Sequence, residues 1–541
     1  MISLVNRARQ RVSRIVRKWD VEAPARRFMA FCRRKWPQRR MAGRDSVVLL
    51  GLFASKPSII CYAYVANHLA EMHGARIESY QFLGRVNPLL RKLYESFGAR
   101  FSLDIEGAAS AESEIQARVD EILSGLKTKW DVMKLTVDGL LIGDQVYDSY
   151  LRFYNESTLQ IDDPRFRQVL VHALQILHAT RDYLARTRVA AFITDDFSYI
   201  NAGIITRLMF RAGVPMYVVN VCDPFSISQV DAEPSGTGEY YPPPIVNPYY
   251  AFPKLFDRLS AEEKEAAILK ARHALEARLS GVFCPLVQMP STTYAASNER
   301  ALHEGPEPRI LVMLHDFVDS PHGFRNMLFP DFFEWIVFVL ERAEKTNFRW
   351  YVKPHPSGLD PGRSTMNEAN DKVVEELKRR FPKITFLPPA TSNQQILNDG
   401  VTAMFSVHGT AGHEYAYRDV PVVFCGDNPH IAYDFCLNAK TLEEYEQYIF
   451  TADRLRVSID KRAIEEFFYM YYFYYSDKRS SSANPIDERV FAAPDWESRI
   501  NRPEIYDEFL AGVTRERERS VGEYLRQVLG EAPQSATSQK L

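Results

Sequence analysis

Strand-length apolar runs alternate with helix-length segments along most of this 541-residue chain, and this alternation restricts the fold more than any other feature. In the first half, Val47 to Phe53 is predicted as a strand, Ile59 to His73 as a helix, and Arg76 to Tyr80 as the next strand. Alternating units of this kind predict an α/β protein whose mostly parallel sheets are covered by helices on both faces. With 46% hydrophobic and 25% charged residues, the chain has a globular composition and is long enough for at least two domains.

The second half repeats the alternation after an irregular stretch, Glu233 to Pro253, in which tyrosines and prolines break the periodicity. Five strands are predicted there: Ile310 to Leu314, Phe348 to Val352, Ile384 to Leu387, Ala403 to Ser406 and Val420 to Phe424. We therefore predict a basic arm over residues 1–44, one α/β domain over 45–300, a second over 301–460, and C-terminal helices with a disordered tail over 461–541.

One segment near the C-terminus has an unusual composition. Phe467 to Tyr475 is aromatic at every position except Met470. Because these side chains are large and apolar, we interpret the segment as a helix packed between the two domains. The alternative is a surface on which sugar rings or lipids stack.

The charge of the chain is unevenly distributed. Residues 1–44 contain fourteen Lys and Arg but only two acids, Asp20 and Glu22, whereas the remainder has 53 basic and 67 acidic residues. Apolar residues recur at helical spacing from Val5 to Trp19, so the arm is predicted to be a basic amphipathic helix at an anionic inner-membrane surface. A helix packed on its own domain and an unstructured basic tail are the alternatives.

Several classes of protein are disfavoured by the sequence. The six scattered cysteines include no CxxC pair, which fits a reducing compartment, and no apolar run reaches the length of a membrane span or of a signal peptide core. We expect a cytoplasmic protein. The acidic body does not suit a nucleic-acid binder, and no nucleophile elbow, Walker loop or dinucleotide-binding GxGxxG motif follows a strand.

Polar residues follow four of the five predicted strands of the second half. They are His315-Asp316 after the first strand, Lys353-Pro354-His355-Pro356 after the second, His408-Gly409-Thr410 after the fourth, and Gly426-Asp427 with residues through His430 after the fifth. Because the carboxyl ends of parallel strands line one crevice in an open sheet, these distant segments should converge on one ligand.

The residue types point to a ligand that contains phosphate. Lys353 supplies a positive charge, and the flanking prolines fix the backbone around His355. Gly409 and Gly412 allow a close approach of the backbone, and amides at the start of the next helix favour an anion. Glu414 could accept hydrogen bonds from a ribose or only offset the helix dipole.

Structural roles are open for the same residues. The Lys-Pro-His-Pro segment can be a rigid turn, and His413 is either a partner of the departing nucleotide, as His408 could be, or a packed helix residue. His322 and His430, each after a proline, are interpreted as turn residues. No HxxxH or similar spacing supports a metal site, so we expect none.

Two of these segments resemble a known group of enzymes. The first segment has a basic residue before His-Pro, here Lys353, His355 and Pro356. The second has a Ser, a Gly and a Glu, here Ser406, Gly412 and Glu414, and an apolar strand follows, Val420-Pro421-Val422-Val423. This pattern, over roughly residues 309–450, resembles the bacterial capsular and surface polysaccharide glycosyltransferases, which include Kdo transferases. The group is similar to polysialyltransferases and to the glycerophosphotransferases of teichoic acid synthesis.

The resemblance implies a GT-B architecture, in which two Rossmann-like domains face a cleft and the second domain holds a nucleotide-sugar, without metal or other cofactor. An oligosaccharide or lipid-linked acceptor is the expected partner. We predict that Asp195 or Asp196, after the strand Ala190 to Thr194, deprotonates the acceptor hydroxyl, with Asp144 and Asp148 as second choices, and that His355 takes part in catalysis. The alternatives are a nucleotide-sugar epimerase or glycerophosphotransferase of the same fold, and a non-catalytic protein of polysaccharide assembly.

Overall fold

A computed structural model describes most of the chain. The described residues are 23–37, 45–80, 87–103, 112–194, 197–220, 225–229, 248–281, 299–323, 326–355, 364–477, 483–490 and 499–530. No helix among them is long and apolar enough to cross a membrane.

The first half of the chain forms a six-stranded sheet with strand order β3-β2-β1-β6-β7-β8. Its strands are β1 (Ser46–Gly51), β2 (Arg76–Tyr80), β3 (Ala99–Leu103), β6 (Arg188–Thr194), β7 (Met216–Asn220) and β8 (Ser226–Gln229), and a small antiparallel pair consists of β4 (Thr136–Val137) and β5 (Leu140–Leu141). All pairings in the large sheet are parallel except that of β7 with β8.

Helices cover both faces of this sheet. They are α1 (23–35), α2 (Lys56–Met72), α3 (Pro88–Ser96), α4 (Glu112–Gly125), α5 (Lys129–Met133), α6 (Gly143–Tyr154), α7 (Pro164–Arg186) and α8 (Ile200–Arg211). Successive residues of β1 enter opposite cores: Val48 and Leu50 pack with α1, α2 and the C-terminal helices, whereas Val47 and Leu49 pack with α6, α7 and α8. A strand buried on both faces explains why the sequence 46–51 is a continuous apolar run.

Local sequence signals set the ends of these helices. The Ser55 side chain accepts a hydrogen bond from the backbone N–H of Ser58 at the start of α2, and Pro57 occupies its first turn, where no N–H partner is required. The helix ends before Gly74, whose φ of +58° belongs to the left-handed region that glycine adopts without strain.

The second half forms another six-stranded sheet, and all its pairings are parallel. Its order is β11-β10-β9-β12-β13-β14, with β9 (Arg309–Met313), β10 (Arg349–Lys353), β11 (Thr385–Phe386), β12 (Ala403–Ser406), β13 (Val422–Phe424) and β14 (Leu437–Asn438). Its helices are α9 (Phe252–Asp257), α10 (Ala261–Leu279), α11 (Phe332–Ala343), α12 (Ser364–Arg380), α13 (Asn393–Asn398), α14 (Ala411–Ala416) and α15 (Leu442–Phe450).

Both sheets have the doubly wound strand order, in which the direction of winding reverses beside the first strand. The predicted fold class, α/β with two Rossmann-like domains, is confirmed by this topology. In the second sheet the reversal lies between β9 and β12, so a crevice opens at the carboxyl ends of these two strands.

The segments between and after the two sheets pack on one domain or the other. Although α9 and α10 fall within the predicted range 45–300, they share a core with the second sheet and with α16 (Lys461–Tyr472), and α17 (Tyr474–Asp477) follows directly. The last helices, α18 (Ile505–Gly512) and α19 (Arg515–Leu529), pack instead against α1 and α2 of the first domain.

Candidate functional site

A cavity of about 100 Å³ lies at the carboxyl ends of β9, β10 and β12. The polar residues that line it come from five separate parts of the chain: Arg278, His315, Lys353, His355, Asn393, Ser406, His408, Thr410 and Glu414. Seven of these nine were predicted as site residues, and the doubly wound order of the sheet brings them together as expected.

His315, Ser406 and His408 form the floor of the cavity. The Nε2 atom of His315 accepts a hydrogen bond from the backbone N–H of His408 at 3.3 Å, and the Ser406 hydroxyl lies 3.0 Å from the same nitrogen. Burial holds the pKa of His315 well below its usual value, so the ring is neutral and carries its proton on Nδ1. Phe332 stacks on the ring with centroids 4.7 Å apart, which fixes its plane.

Lys353, the last residue of β10, is the cation most deeply placed in the wall, with 3% of its surface exposed. Burial lowers its pKa to about 8, and the nearby Glu414 carboxylate opposes that shift. His355 follows it after Pro354 and is half-buried. Burial lowers the pKa of His408 to about 3, so Lys353 rather than the buried imidazoles supplies positive charge at neutral pH.

Arg278 completes the wall, and sequence reasoning missed it. Its guanidinium donates to the Glu414 carboxylate, and both side chains are more than nine-tenths buried. The sequence signal was present: Ala271, Leu275 and Arg278 follow helical spacing on the buried face of α10. Glu414 is therefore already held by one cation, and a ribose hydroxyl would have to use its remaining lone pairs.

The two glycines of the predicted turn have different roles in packing. Gly409 has a φ of +130°, and a Cβ atom there would lie 3.3 Å from Cε1 of His315. Gly412 does not line the cavity; a Cβ atom at this position would lie 2.5 Å from Cζ of Phe424 and 2.9 Å from Cε1 of His430. Gly412 permits close packing of α14 on β13.

Two other predicted residues, Asp316 and Asp427, lie at neighbouring strand ends outside the cavity wall. Burial raises the pKa of Asp316, whose Oδ1 accepts the backbone N–H of Val318 at 3.3 Å. Asp427 accepts hydrogen bonds from the Asn326 amide at 3.0 Å and the Tyr250 hydroxyl at 3.3 Å.

His413 and His430 form a buried pair below the cavity. His413 Nδ1 lies 3.2 Å from His430 Nε2, and both rings pack against Phe467 of α16. Burial lowers the pKa of both imidazoles well below the usual value, so neither carries charge. The position of His413 matches the alternative of a packed helix residue.

The predicted acids of the first domain are only partly described. Asp195 and Asp196 lie outside the described residues. Asp144 pairs with Arg207 at 2.5 Å in the interior of the domain; burial alone would raise its pKa, but the arginine outweighs it and holds the pKa below the usual value. Asp148 is buried as well and contacts His322 of the second domain.

Of the two second-choice acids, only Asp148 is in contact with the described residues of the other domain. Asp148 Oδ1 lies 2.5 Å from Nδ1 of His322, whose Nε2 lies 2.9 Å from the carbonyl oxygen of Pro330. The N-cap residue of α11, Asp331, accepts hydrogen bonds at 2.6 Å from the hydroxyls of Tyr147 and Thr158. α6 is thereby fixed against the loop that follows β9.

Within the part of the chain that the structure describes, no group of three or more His, Cys, Asp or Glu side chains could hold a metal ion. Metal independence stays a prediction.

Comparison with known proteins gives weak likenesses. No family model and no curated protein matches the sequence. A KpsC β-Kdo 2,4 transferase structure from Thermosulfurimonas dismutans is 16% identical over 56% of this chain and 88% of its own, with a TM-score of 0.30. A UDP-GlcNAc 2-epimerase from Neisseria meningitidis, bound to UDP-GlcNAc, is 12% identical over 89% and 99%, with a TM-score of 0.17. TM-scores this far below 0.5 do not establish a shared activity.

Proposed function

We propose that the protein is a glycosyltransferase that moves a sugar from a nucleotide-activated donor to a growing surface polysaccharide or its lipid-linked acceptor. The observation that carries this proposal is the cavity at the winding reversal of the second sheet, with the buried cation Lys353 in its wall. A buried lysine without an anionic ligand is costly, which favours a site that receives negative charge.

The size of the cavity suggests which part of the donor it holds. About 100 Å³ is the space of roughly three water molecules, which suits one phosphate group and not a whole nucleotide-sugar. We place one donor phosphate against Lys353 and His355. The nucleoside and the sugar extend from there towards the region between the domains.

The residues of the cavity would contribute to catalysis by electrostatic stabilisation of the leaving phosphate. In glycosyl transfer the bond between the anomeric carbon and the phosphate oxygen breaks, and the phosphate leaves with the bonding electrons. Lys353 stabilises that developing charge, and the neutral His315 ring holds the His408 backbone that forms the adjacent wall. The acceptor hydroxyl forms the new bond to the anomeric carbon and loses its proton to a carboxylate.

We retain Asp195 and Asp196 as candidates for that carboxylate because they follow β6 at its carboxyl end. Asp144 and Asp148 suit the role less well, since each is buried and hydrogen-bonded to a partner, Arg207 and His322. The test measures the transferase activity of Asp195→Asn and Asp196→Asn with the donor that the thermal-shift panel of the next paragraph identifies. Full activity of both variants would reject the assignment.

The site assignment is tested by ligand binding. A thermal-shift panel of CMP-, CDP-, UDP- and GDP-linked sugars should identify a donor, because a ligand that binds only the folded state raises the melting temperature. Calorimetry then compares Lys353→Ala and His355→Ala with Lys345→Ala, an exposed lysine of the same domain. We expect Lys353→Ala and His355→Ala to bind the donor at least tenfold more weakly and Lys345→Ala to bind it normally. Unchanged affinity in the first two variants would reject the site.

Turnover distinguishes the alternatives. Product analysis without acceptor would identify an epimerase if the donor is converted to its epimer, and tight binding without any turnover would identify a non-catalytic protein. The proposed setting is the cytoplasmic side of an inner membrane, contacted by the basic residues of the N-terminal arm.

A further inference from the structure

A second cavity, of about 870 Å³, lies in the first domain and shares no lining residue with the candidate site. Its walls come from the end of α1, from α2, α3 and α19, and from β3 at the edge of the sheet. It reaches the amino-terminal parts of β2 and β3, at Ile77 and Ala99, whereas ligands of the parallel sheet bind at the carboxyl ends. Its volume is within the range of small-molecule sites.

The walls combine apolar and cationic groups. Trp36 and Phe101, both partly exposed, supply apolar surface, and Phe97, Val521 and Leu525 line the cavity as nearly buried side chains. The charged groups are four cations and three carboxylates, which leaves one net positive charge: Arg34, Lys35, Arg91 and Arg100, with Glu71, Glu95 and Glu518.

Two of the cations are already engaged. Lys35 pairs with Glu518, and Arg91 pairs with Glu95 at 2.8 Å while lying over the Phe101 ring. Arg34 and Arg100 are exposed, and neither guanidinium has a side-chain partner among the described residues. Two such guanidinium groups in one cavity suit a phosphate, which arginine binds through paired N–H donors.

We propose that this cavity binds a phospholipid with an anionic headgroup. Arg34 and Arg100 contact the phosphate, while Trp36 and Phe101 cover the glycerol and the upper part of the acyl chains. A lipid fits better than a free anion because much of the wall is apolar, and α1 continues the segment whose basic amphipathic pattern already favours an anionic surface. The proposal does not depend on the transferase activity.

Gly522 offers a test that separates the cavity from general charge attraction. This glycine lies within α19 and lines the cavity, and a Cβ atom there would meet only the end of the Arg526 side chain, at 3.6 Å. Gly522→Leu fills the space without changing charge, and leucine has the higher helix propensity, so the variant should fold. Binding of monomeric dihexanoylphosphatidic acid to the full chain is measured by calorimetry.

We expect Gly522→Leu and the double variant Arg34→Gln/Arg100→Gln each to weaken this binding at least tenfold. Dihexanoylphosphatidylcholine should bind at least tenfold more weakly than phosphatidic acid. The charge-matched control Arg379→Gln/Arg454→Gln removes two exposed arginines of the other domain and should bind normally. Donor binding at Lys353 should be unchanged in all variants.

Three outcomes would overturn the proposal. Wild-type affinity in both cavity variants would place lipid binding elsewhere, for example in the arm alone. Inorganic phosphate that binds as tightly as the lipid would indicate a simple anion site. An anionic oligosaccharide that binds in place of the lipid, and is lost in Gly522→Leu, would assign the cavity to a polysaccharide.

Discussion

At the scale of single residues, Lys353 links burial to function. Because burial lowers its pKa to about 8, the side chain is cationic at neutral pH and loses its charge above that value. An anionic donor binds the cationic form, so we expect affinity to be constant below about pH 7 and to fall by up to about tenfold per unit above pH 8. Calorimetry across pH 6 to 10 measures this.

Lys353→Arg is the matched variant, since an arginine stays charged throughout this range. The alkaline fall should disappear in that variant, even if the affinity at pH 7 changes. The same alkaline fall in Lys353→Arg would show that another group titrates.

Gly412 permits a second residue-scale prediction. Since its Cβ position lies 2.5 Å from Phe424, Gly412→Ala should overpack the interior and lower the free energy of unfolding by about 1–3 kcal/mol. Gly522→Ala, in an open position within α19, should raise it by up to about 1 kcal/mol. Urea denaturation compares the two. Equal stability of Gly412→Ala and the wild type would contradict the tight packing.

Sequence patterns identified most of the residues that line the candidate site, because each follows an apolar strand and parallel strands share one carboxyl edge. They did not identify Arg278, which lies on a helix more than thirty residues before the second sheet. Only the packing of α10 onto that sheet brings its guanidinium to Glu414. The sequence also did not show that the two glycines have different roles: Gly409 lies against His315 in the turn, whereas Gly412 packs on Phe424.

At the scale of secondary structure, the predicted arm divides into two parts. Residues 23–35 form α1, where Phe28 and Cys32 are fully buried and Phe28 stacks on Tyr506 of α18 at 4.9 Å. Deleting residues 1–44 would therefore remove part of the domain core. A deletion of residues 1–22 removes the basic amphipathic segment and leaves α1 and the proposed lipid cavity in place.

We expect the 1–22 deletion to leave the melting temperature within a few degrees of the wild type and to reduce sedimentation with anionic vesicles. The deletion removes cations that each contribute on the order of 1 kcal/mol at an anionic surface. Deletion of 1–44 should lower the melting temperature strongly. If the 1–22 deletion binds vesicles as tightly as the full chain does, the predicted membrane role of residues 1–22 is wrong.

The aromatic segment in α16 belongs to the interior. Phe467 is fully buried and contacts both His413 and His430, so the segment packs against the second domain rather than offering an open stacking surface. Phe467→Ala should lower the free energy of unfolding by about 3–5 kcal/mol. Phe450→Ala, at an exposed position of α15, should change it by less than about 0.5 kcal/mol in the same urea titration.

Element boundaries followed from sequence where an apolar run is long and buried on both faces, as in β1. Short elements were missed for the opposite reason. The pair β4 and β5 has two residues per strand, and β8 alternates little and pairs antiparallel at the sheet edge. Neither contains enough apolar residues to establish a period.

At the scale of the whole molecule, a polar interface joins the domains, and one of its buried contacts is the pair of Asp148 and His322. Burial alone would lower the pKa of His322, but Asp148 outweighs it and raises that pKa above 6.5. A raised pKa in the folded state stabilises the protein below pH 6.5, and this contribution is lost as pH rises through the raised value. The contribution of Lys353 to the pH dependence of stability has the opposite sign, because its lowered pKa makes the free energy of unfolding rise between about pH 8 and 10.5.

Four other buried histidines, His315, His408, His413 and His430, have lowered pKa values, so they add stability as pH rises through 6.5 and oppose the contribution of His322. Comparison of His322→Gln with the wild type isolates His322. The melting temperature lost in this variant should be largest below pH 6.5 and should shrink as pH rises through the raised pKa. The control is His178→Gln, since His178 pairs with Asp182 on the surface at 3.5 Å, where solvent screens the interaction. His178→Gln should keep the wild-type profile. Differential scanning calorimetry from pH 6 to 8 measures all three proteins. A difference between His322→Gln and the wild type that stays constant from pH 6 to 8 would show that the His322 pair at the domain interface does not contribute to the pH dependence.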